Sequence, residues 1–344
     1  MPKSDSAEPA AMQRMASILQ GLWLGQAVAV AAELGVADAL QDGPQSAARL
    51  AERLDCNADA LFRLLRALCG EGVFEFCVAT RRFKLNALAR TIARDNPPNL
   101  WPLASYAGVE AHAALSGLGD AVRSGRSDLS RHLGAGLFEH FDRNPDRGQV
   151  FEQLMKMRYR RENAAFLDAV TLPEVATIAD IGGSSGDFLG QVLERYPNSQ
   201  GLLFDRPEVL KLLDRSRFLK QIVERIECKP GDFFKTIDVS ADVYLMRHVI
   251  HDWDDAQALR ILKNCKAAMT PTSRLLVIEG LVTDDNQPSD MKWRDLTMLI
   301  LFNGRERTLT EYRQLFDKAG LRLADVTTAE DGLTVFDLRT ELRN

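Results

Sequence analysis

The feature that most constrains this chain is an alternation that begins at Glu174. Short apolar runs at Ala176–Ala179, Gly201–Phe204, Ile226–Cys228, Val243–Met246 and Arg274–Ile278 alternate with helical patterns. Such alternation marks an α/β fold with a parallel sheet, because parallel neighbours need a crossover long enough to hold a helix. Leu321–Val326 and Leu333–Leu338 then read as a closing antiparallel pair. In an open α/β sheet, ligands sit in the crevice beyond the carboxyl ends of the strands. The residues just after each run are therefore where chemistry is expected.

The first run leads into Asp180-Ile181-Gly182-Gly183-Ser184-Ser185-Gly186-Asp187, and a helix with Phe188, Leu189, Val192 and Leu193 follows. Small residues at this point let a ligand approach the backbone. A nicotinamide dinucleotide requires G-x-G-x-x-G, with its pyrophosphate on the helix N-terminus. This loop reads G-G-x-x-G, and Asp180 in front of it would repel a pyrophosphate but favour an ammonium or a sulfonium. Asp205, which ends the second run, is placed to accept hydrogen bonds from ribose hydroxyls. S-adenosylmethionine carries a ribose, an adenine, an amine and a sulfonium, and no phosphate, so it fits these residues better than a dinucleotide. A glycine turn that serves packing alone is the competing reading.

The fourth run continues as Arg247-His248-Val249-Ile250-His251-Asp252-Trp253. A buried strand that ends in this density of polar residues looks like one that delivers a base to the crevice. The bland alternative is that they cap the next helix: Asp254 is the expected N-cap of Ala256–Met269, with Asp252 sharing that work. His248 is read as structural. A His248–His251 metal pair is not expected, since no third ligand is evident in the sequence.

The N-terminal third reads differently. Met12, Met15, Ile18, Leu19, Leu22 and Trp23 recur at helical spacing, Ala27–Leu34 continues the helix, and Gly35 breaks it. After the turn at Asp42-Gly43-Pro44 come two helical patterns, Ser46–Leu54 and Asp59–Leu68. A short hairpin follows, from Val73-Phe74-Glu75-Phe76 and Arg82-Phe83-Lys84-Leu85. Helix, turn, helix, hairpin is a winged-helix pattern, and such modules often bind DNA. Residues 1–95 hold 11 Lys/Arg against 11 Asp/Glu, so the module lacks the basic surface that phosphate neutralisation needs. The apolar faces of its first two helices are better explained as a dimer interface.

Asn96-Pro97-Pro98 reads as a linker, Trp101–Arg123 as one or two helices, and Ser124–Ser127 as a turn. Gly148–Val170 is a long helical pattern in which Phe151, Met155 and Tyr159 share a face, as core or as pocket lining. The expected division is 1–95, a winged-helix-like dimerisation domain; 96–170, a helical linking and substrate-lining region; and 171–344, the α/β domain. A length of 344 residues agrees with more than one domain. The net charge of −5 gives no electrostatic reason to bind nucleic acid or an anionic membrane. Five scattered cysteines suit reduced thiols in a cytoplasm. The first residues lack a secretory pattern, and no apolar run is expected to approach the ~18 residues that span a bilayer.

With these residues in hand, the chain resembles the small-molecule O-methyltransferases of the caffeate and acetylserotonin type, including their bacterial natural-product branch. The markers are Asp180–Gly186, Gly231-Asp232-Phe233-Phe234, His251-Asp252-Trp253 and Glu306-Arg307-Thr308, in order over nearly the whole chain. The resemblance implies a Rossmann-like class I methyltransferase domain behind an N-terminal, mainly helical winged-helix dimerisation domain, and a homodimer. It implies S-adenosylmethionine as cofactor, held by Asp180, Gly182, Gly183 and Gly186, with Asp205 on the ribose, Asp232 and Phe233 at the adenine, and Arg247 where the family often has lysine. It places His251 on the general base and Glu279 and Glu306 on the two flanking acids.

These roles make chemical sense. A histidine of ordinary pKa ~6.5 can take a phenol's proton during attack, and a carboxylate on the other ring nitrogen stabilises the imidazolium formed. The sulfonium methyl is already activated, so no metal is required. Bland alternatives stay open for the acids: Glu306 as a cap for the helix near Thr310, Glu279 as a solvated strand end. Trp293, Met298 and Phe302 are expected to line the pocket of a small-molecule acceptor together with Phe151 and Met155. The chain departs from the family at Ser184, where many relatives have a third glycine, and at Phe233, where methionine is commoner. It departs again at Phe151-Glu152-Gln153-Leu154-Met155, where relatives carry Phe-Asn-x-Ala-Met. Rival readings are methylation at nitrogen or carbon by the same fold, a winged-helix ligand-sensing regulator, and a nicotinamide-dependent dehydrogenase.

Overall fold

The computed structural model describes residues 7–95, 98–211, 213, 220–329 and 333–340. Asn96 and Pro97 of the expected linker lie outside the described residues. The chain forms two compact units, one of residues up to Ser116 with Leu129–Met157, the other of Gly117–Asp128 with Arg158 onward. Residues 96–170, read from sequence as one linking region, are thus shared between the two units.

The N-terminal unit opens with the helix Ala7–Glu33, closed by Gly35 in the left-handed conformation at φ 74°. Ala29, Ala31 and Ala32 at its end are buried, while Met12, Met15, Ile18, Leu19, Leu22 and Trp23 are all more than half exposed. The sequence expectation about long apolar runs needs correction here. Met15–Ala32 carries no charge, and by length and apolarity this helix could cross a membrane. Its alanines, glycines and glutamines had hidden the run.

Ser46 and Asn57 cap the helices Ala47–Leu54 and Ala58–Gly70 through their side-chain oxygens. Strands β1 (Glu75–Cys77) and β2 (Arg82–Lys84) pair antiparallel as the expected wing. The stretch from Trp101 is more broken than expected. A π-helical turn, Ala107–Ala111, interrupts it, and there a Cβ on Gly108 would come within 2.7 Å of the Ala29 Cβ. That turn buries Glu110, which Arg147 clasps at 2.8 and 2.6 Å while also reaching Glu33 and Ser105. This network fixes the start of the long helix Pro145–Ala169 within the unit.

The C-terminal unit is a seven-stranded sheet. Its strands are β3 (Thr177–Ile181), β4 (Gln200–Asp205), β5 (Ile226–Pro230), β6 (Val243–Arg247), β7 (Arg274–Gly280), β8 (Leu321–Thr328) and β9 (Leu333–Thr340), in the order β5-β4-β3-β6-β7-β9-β8. The first five are parallel, and β9 adds antiparallel to β7 and β8. Both faces are covered: Tyr244 and Met246 of β6 pack in one apolar layer, Val243 and Leu245 in the other. Burial on both faces is why these strands read as unbroken apolar runs. Strand order reverses between β3 and β6. The crevice beyond their carboxyl ends is the topological switch point, and the loops after β3 and β6 flank it.

Candidate functional site

The loop after β3 is shaped as much by the protein as for a ligand. Gly182 takes φ 74° and donates to the Phe204 carbonyl at 2.8 Å. A Cβ on Gly183 would lie 2.4 Å from Leu203 Cδ1 and 2.6 Å from Asp180 Oδ2, so this glycine is required for packing. Gly186, at φ 72°, opens the helix Asp187–Arg195. Ser184, the departure from the third glycine, also lies in the left-handed region at φ 50°, which is why glycine suits that position. Its N–H donates to Asp205 Oδ2 at 2.8 Å, and the other Asp205 oxygen accepts from Arg206.

Asp180 is 2% exposed, and its Oδ2 has no hydrogen-bond partner among the described residues. Burial raises its carboxyl to about 7, against the opposing pull of Arg247. An orphaned buried carboxylate at the switch point is the feature a cationic amine would satisfy, so these residues fit S-adenosylmethionine. Phe233 stands near Gly182, whose Cβ would meet its ring at 3.6 Å, and it makes edge contacts with Phe234 and Trp253. Asp232 accepts from the Phe234 N–H at 2.9 Å. The Arg247 guanidinium lies over the Tyr159 and Phe188 rings at 4.6 and 4.4 Å and bonds Asn163.

After β6 the chain turns at His248, a non-glycine residue at φ 53°. The turn aims the N–H groups of Val249, Ile250 and His251 at one oxygen, Glu279 Oε1, at 3.1, 2.8 and 3.4 Å. Successive N–H groups in this conformation form an anion nest. Glu279 is therefore no solvated strand end: it is wholly buried at the end of β7. Burial alone would push its carboxyl up, but the His251 charge beside it holds it well below the usual range.

Its second oxygen lies 3.1 Å from His251 Nδ1, and Glu306 Oε1 lies 3.0 Å from the same nitrogen. Both approach off the ring N–H direction, as ion contacts rather than aligned hydrogen bonds. Nε2 is left to the other side, 3.4 Å from Asp252 Oδ1. Burial alone would lower the His251 pKa, but the charges of Glu279 and Asp252, with the close approach of Glu306, raise it well above 6.5. Burial raises the Asp252 carboxyl to about 6, partly offset by His251.

Two capping alternatives are overturned. Asp254 alone caps Asp255–Ala268, by accepting from Gln257, while Asp252 faces His251. Thr308 and Glu311 form the capping box of Leu309–Ala319, leaving Glu306 free for the site. The loop that carries Glu306 is seated tightly. Arg305 donates to the His251 carbonyl at 2.8 Å, and a Cβ on Gly304 would fall 2.1 Å from that oxygen. Buried Arg307 ties the carbonyls of Ile250 and Trp253 and the Asp255 carboxylate into one cluster.

Sequence reasoning missed part of this site. His248 is not a bystander: its ring stacks between Tyr159 and His251, and Nε2 lies 2.6 Å from Glu162. Burial and the Arg294 charge lower its pKa. Arg294, 4% exposed, reaches His248 Nδ1 at 2.8 Å and Glu306 at 2.8 Å. The signal in the sequence is a lone charge on the inward face formed by Met291, Arg294 and Met298. Glu279 supplies the third donor beside the two histidines that the sequence did not show. A cation there would nevertheless meet the Arg294 guanidinium, which already takes His248 Nδ1.

The expected acceptor-lining residues divide. Met298 is buried on the Arg294 face, Phe302 is half-buried, and Trp293 is turned to solvent at 71% exposure. Phe151 and Met155 belong to the N-terminal unit, where Phe151 stacks on Phe141 at 4.8 Å.

Comparison with known proteins gives a consistent picture. Residues 115–322 match the O-methyltransferase domain and residues 16–95 the O-methyltransferase dimerisation domain. The chain is 35% identical to a mitomycin biosynthesis 6-O-methyltransferase of Streptomyces lavendulae, over 92% of this chain and 91% of that protein. The solved structure of the mitomycin 7-O-methyltransferase MmcR superposes with a TM-score of 0.90 at 34% identity, over 98% of this chain and 99% of that one. An O-methyltransferase from neocarzinostatin biosynthesis was solved with S-adenosylhomocysteine and 1,4-dihydroxy-2-naphthoic acid. It matches with a TM-score of 0.80 at 26% identity, over 92% and 96% of the two chains.

Proposed function

The chain belongs to the S-adenosylmethionine-dependent O-methyltransferase family, and from that premise we propose that it methylates a phenolic hydroxyl of a small natural-product-like acceptor, with His251 as general base. The observation that carries the reading is the arrangement around His251: two buried carboxylates on Nδ1, with Nε2 left on the other side of the ring toward Asp252. The neocarzinostatin relative, which was solved with a dihydroxynaphthoic acid, supports an aromatic hydroxyl as the acceptor.

S-adenosylmethionine supplies a methyl group already activated on a sulfonium. In this proposal Asp180 binds its amino group and Asp205 its ribose, while Phe233 and Asp232 flank its adenine and Arg247 lines the same crevice. His251 Nε2 takes the proton as the hydroxyl oxygen attacks. Glu279 and Glu306 hold the ring in place and stabilise the imidazolium that results. Their charge makes the neutral ring a strong base and also keeps much of it protonated near neutrality. Turnover should therefore rise with pH from neutral into the alkaline range. In-line alignment of acceptor oxygen and methyl is the rest of the catalysis. The exposed apolar face of Ala7–Glu33, which lies from residue 16 onward within the matched dimerisation domain, supports a homodimer.

The test is a mass-shift screen of mono- and dihydroxy-arenes with S-adenosylmethionine, run on wild type and His251→Ala. The variant should lose most turnover and keep its affinity for S-adenosylhomocysteine. Comparable turnover in His251→Ala would remove the base assignment. A product methylated only at nitrogen would remove the phenolic one.

A further inference from the structure

Arg294 has no role in the reading above, yet it is the only cation whose side chain reaches both Glu306 and the two stacked histidines among the described contacts. We propose that Arg294 is a positioning residue for methyl transfer: its guanidinium shares Glu306 with His251 and fixes His248, so that His251 can give up its proton. The proposal rests on the reading of His251 as the base.

The geometry is specific. Arg294 Nε lies 2.8 Å from Glu306 Oε1, the same oxygen that stands 3.0 Å from His251 Nδ1. Arg294 Nη2 donates to His248 Nδ1 at 2.8 Å and comes within 3.4 Å of His251 Nδ1. His248 Nδ1 is thus an acceptor, so the proton of that ring sits on Nε2 and is donated to Glu162 at 2.6 Å. His248 then stacks on His251 at 5.2 Å as a neutral ring and adds no second imidazolium.

The charges facing His251 come from every surrounding element. Glu279 ends β7, Glu306 lies on the loop before Leu309–Ala319, and Asp252 shares the turn of His251 itself. Arg294 enters from Asp290–Phe302, and Tyr159 and Glu162 stand behind His248. Tyr312 completes the set: burial raises its phenol, and the charges of Glu279 and Glu306 raise it further. With His251 protonated, the two fully buried carboxylates face two cations. When His251 discharges, Glu306 is still paired with Arg294. Without Arg294 the imidazolium would be the sole cation for both carboxylates, and loss of its proton would leave two buried charges unpaired. A purely structural ion pair would alter stability and leave the titration of His251 where it was.

The test reads that titration directly, with no acceptor needed. The five histidines are labelled with carbon-13 at the ring, and the His251 signal is assigned by its loss in His251→Asn. Arg294→Met should raise the His251 midpoint by roughly 1–2 pH units, and Glu306→Gln should lower it by a similar amount. The double variant should return close to wild type, and Arg294→Lys should stay there. An unmoved midpoint in folded Arg294→Met, or a shift in the same direction as Glu306→Gln, overturns the proposal. If Arg294→Met does not fold, the double variant is compared with Glu306→Gln, and absence of an upward shift overturns it. Failure of the base reading is separable, because it appears as turnover retained in His251→Ala whatever the titrations show.

Discussion

Replacing Asp180 by asparagine should make the ligand-free protein more stable and nearly abolish cofactor binding. Asp180 is buried at the end of β3 with one oxygen unpartnered, and burial raises its carboxyl from 3.8 to about 7. Below pH 3.8 the group is protonated in folded and unfolded chains alike and has no effect. Between there and about 7 the unfolded chain ionises first, so stability falls as the pH rises. Above about 7 the full penalty persists, roughly 4 kcal/mol against the folded state. Asparagine removes the charge but its amide still lacks a partner, so about 2 kcal/mol should be recovered at pH 8. That corresponds to a rise of roughly 5 °C in Tm. If Asp180 binds the cofactor's amino group as proposed, the same substitution removes that buried partner and should weaken binding on the order of 100-fold. Thermal melts between pH 5.5 and 8.5, with calorimetry against S-adenosylhomocysteine, measure both effects. The stability gain must grow with pH. A gain independent of pH, or unchanged S-adenosylhomocysteine affinity, would refute the reasoning.

Two further outcomes follow from other parts of the molecule. Gly304→Ala forces the loop of Glu306 away from the His251 carbonyl, since the new Cβ would lie 2.1 Å from that oxygen. Turnover should fall on the order of 100-fold, as a misplacement of about 1 Å can cause, while S-adenosylhomocysteine affinity stays within about threefold; full activity would show that the loop tolerates the shift. Leu19 and Trp23 are 61% and 69% exposed on the apolar face of the first helix. Changing both to aspartate should halve the mass measured by light scattering if that face joins two copies of the chain, and an unchanged mass would place the dimer contact elsewhere.

Much of this site was legible in sequence because local patterns carry it. A strand that ends in an acid just before small residues, and another followed by His-x-x-His-Asp, place Asp180 and His251 at the switch point once the parallel sheet is recognised. Composition bounded the rest: apolar runs that suit burial on both faces of one sheet, and a charge-neutral winged module that opens with an apolar helix. What the sequence could not decide are contacts made across long separations. That Glu279 accepts three N–H groups from a turn 28 to 30 residues earlier depends on β6 and β7 being neighbours and on His248 taking a left-handed conformation. That Asp252 faces His251 rather than capping a helix depends on the pitch of one short turn. Arg294 and Glu162 come from helices far apart in the chain and meet at His248. A side chain's identity is a local property of the sequence, but its charge state belongs to whatever the fold buries beside it. For that reason only the tertiary structure shows that His251, in the turn after the strand Val243–Arg247, lies against Glu279 and Glu306, with Arg294 on the same Glu306 oxygen.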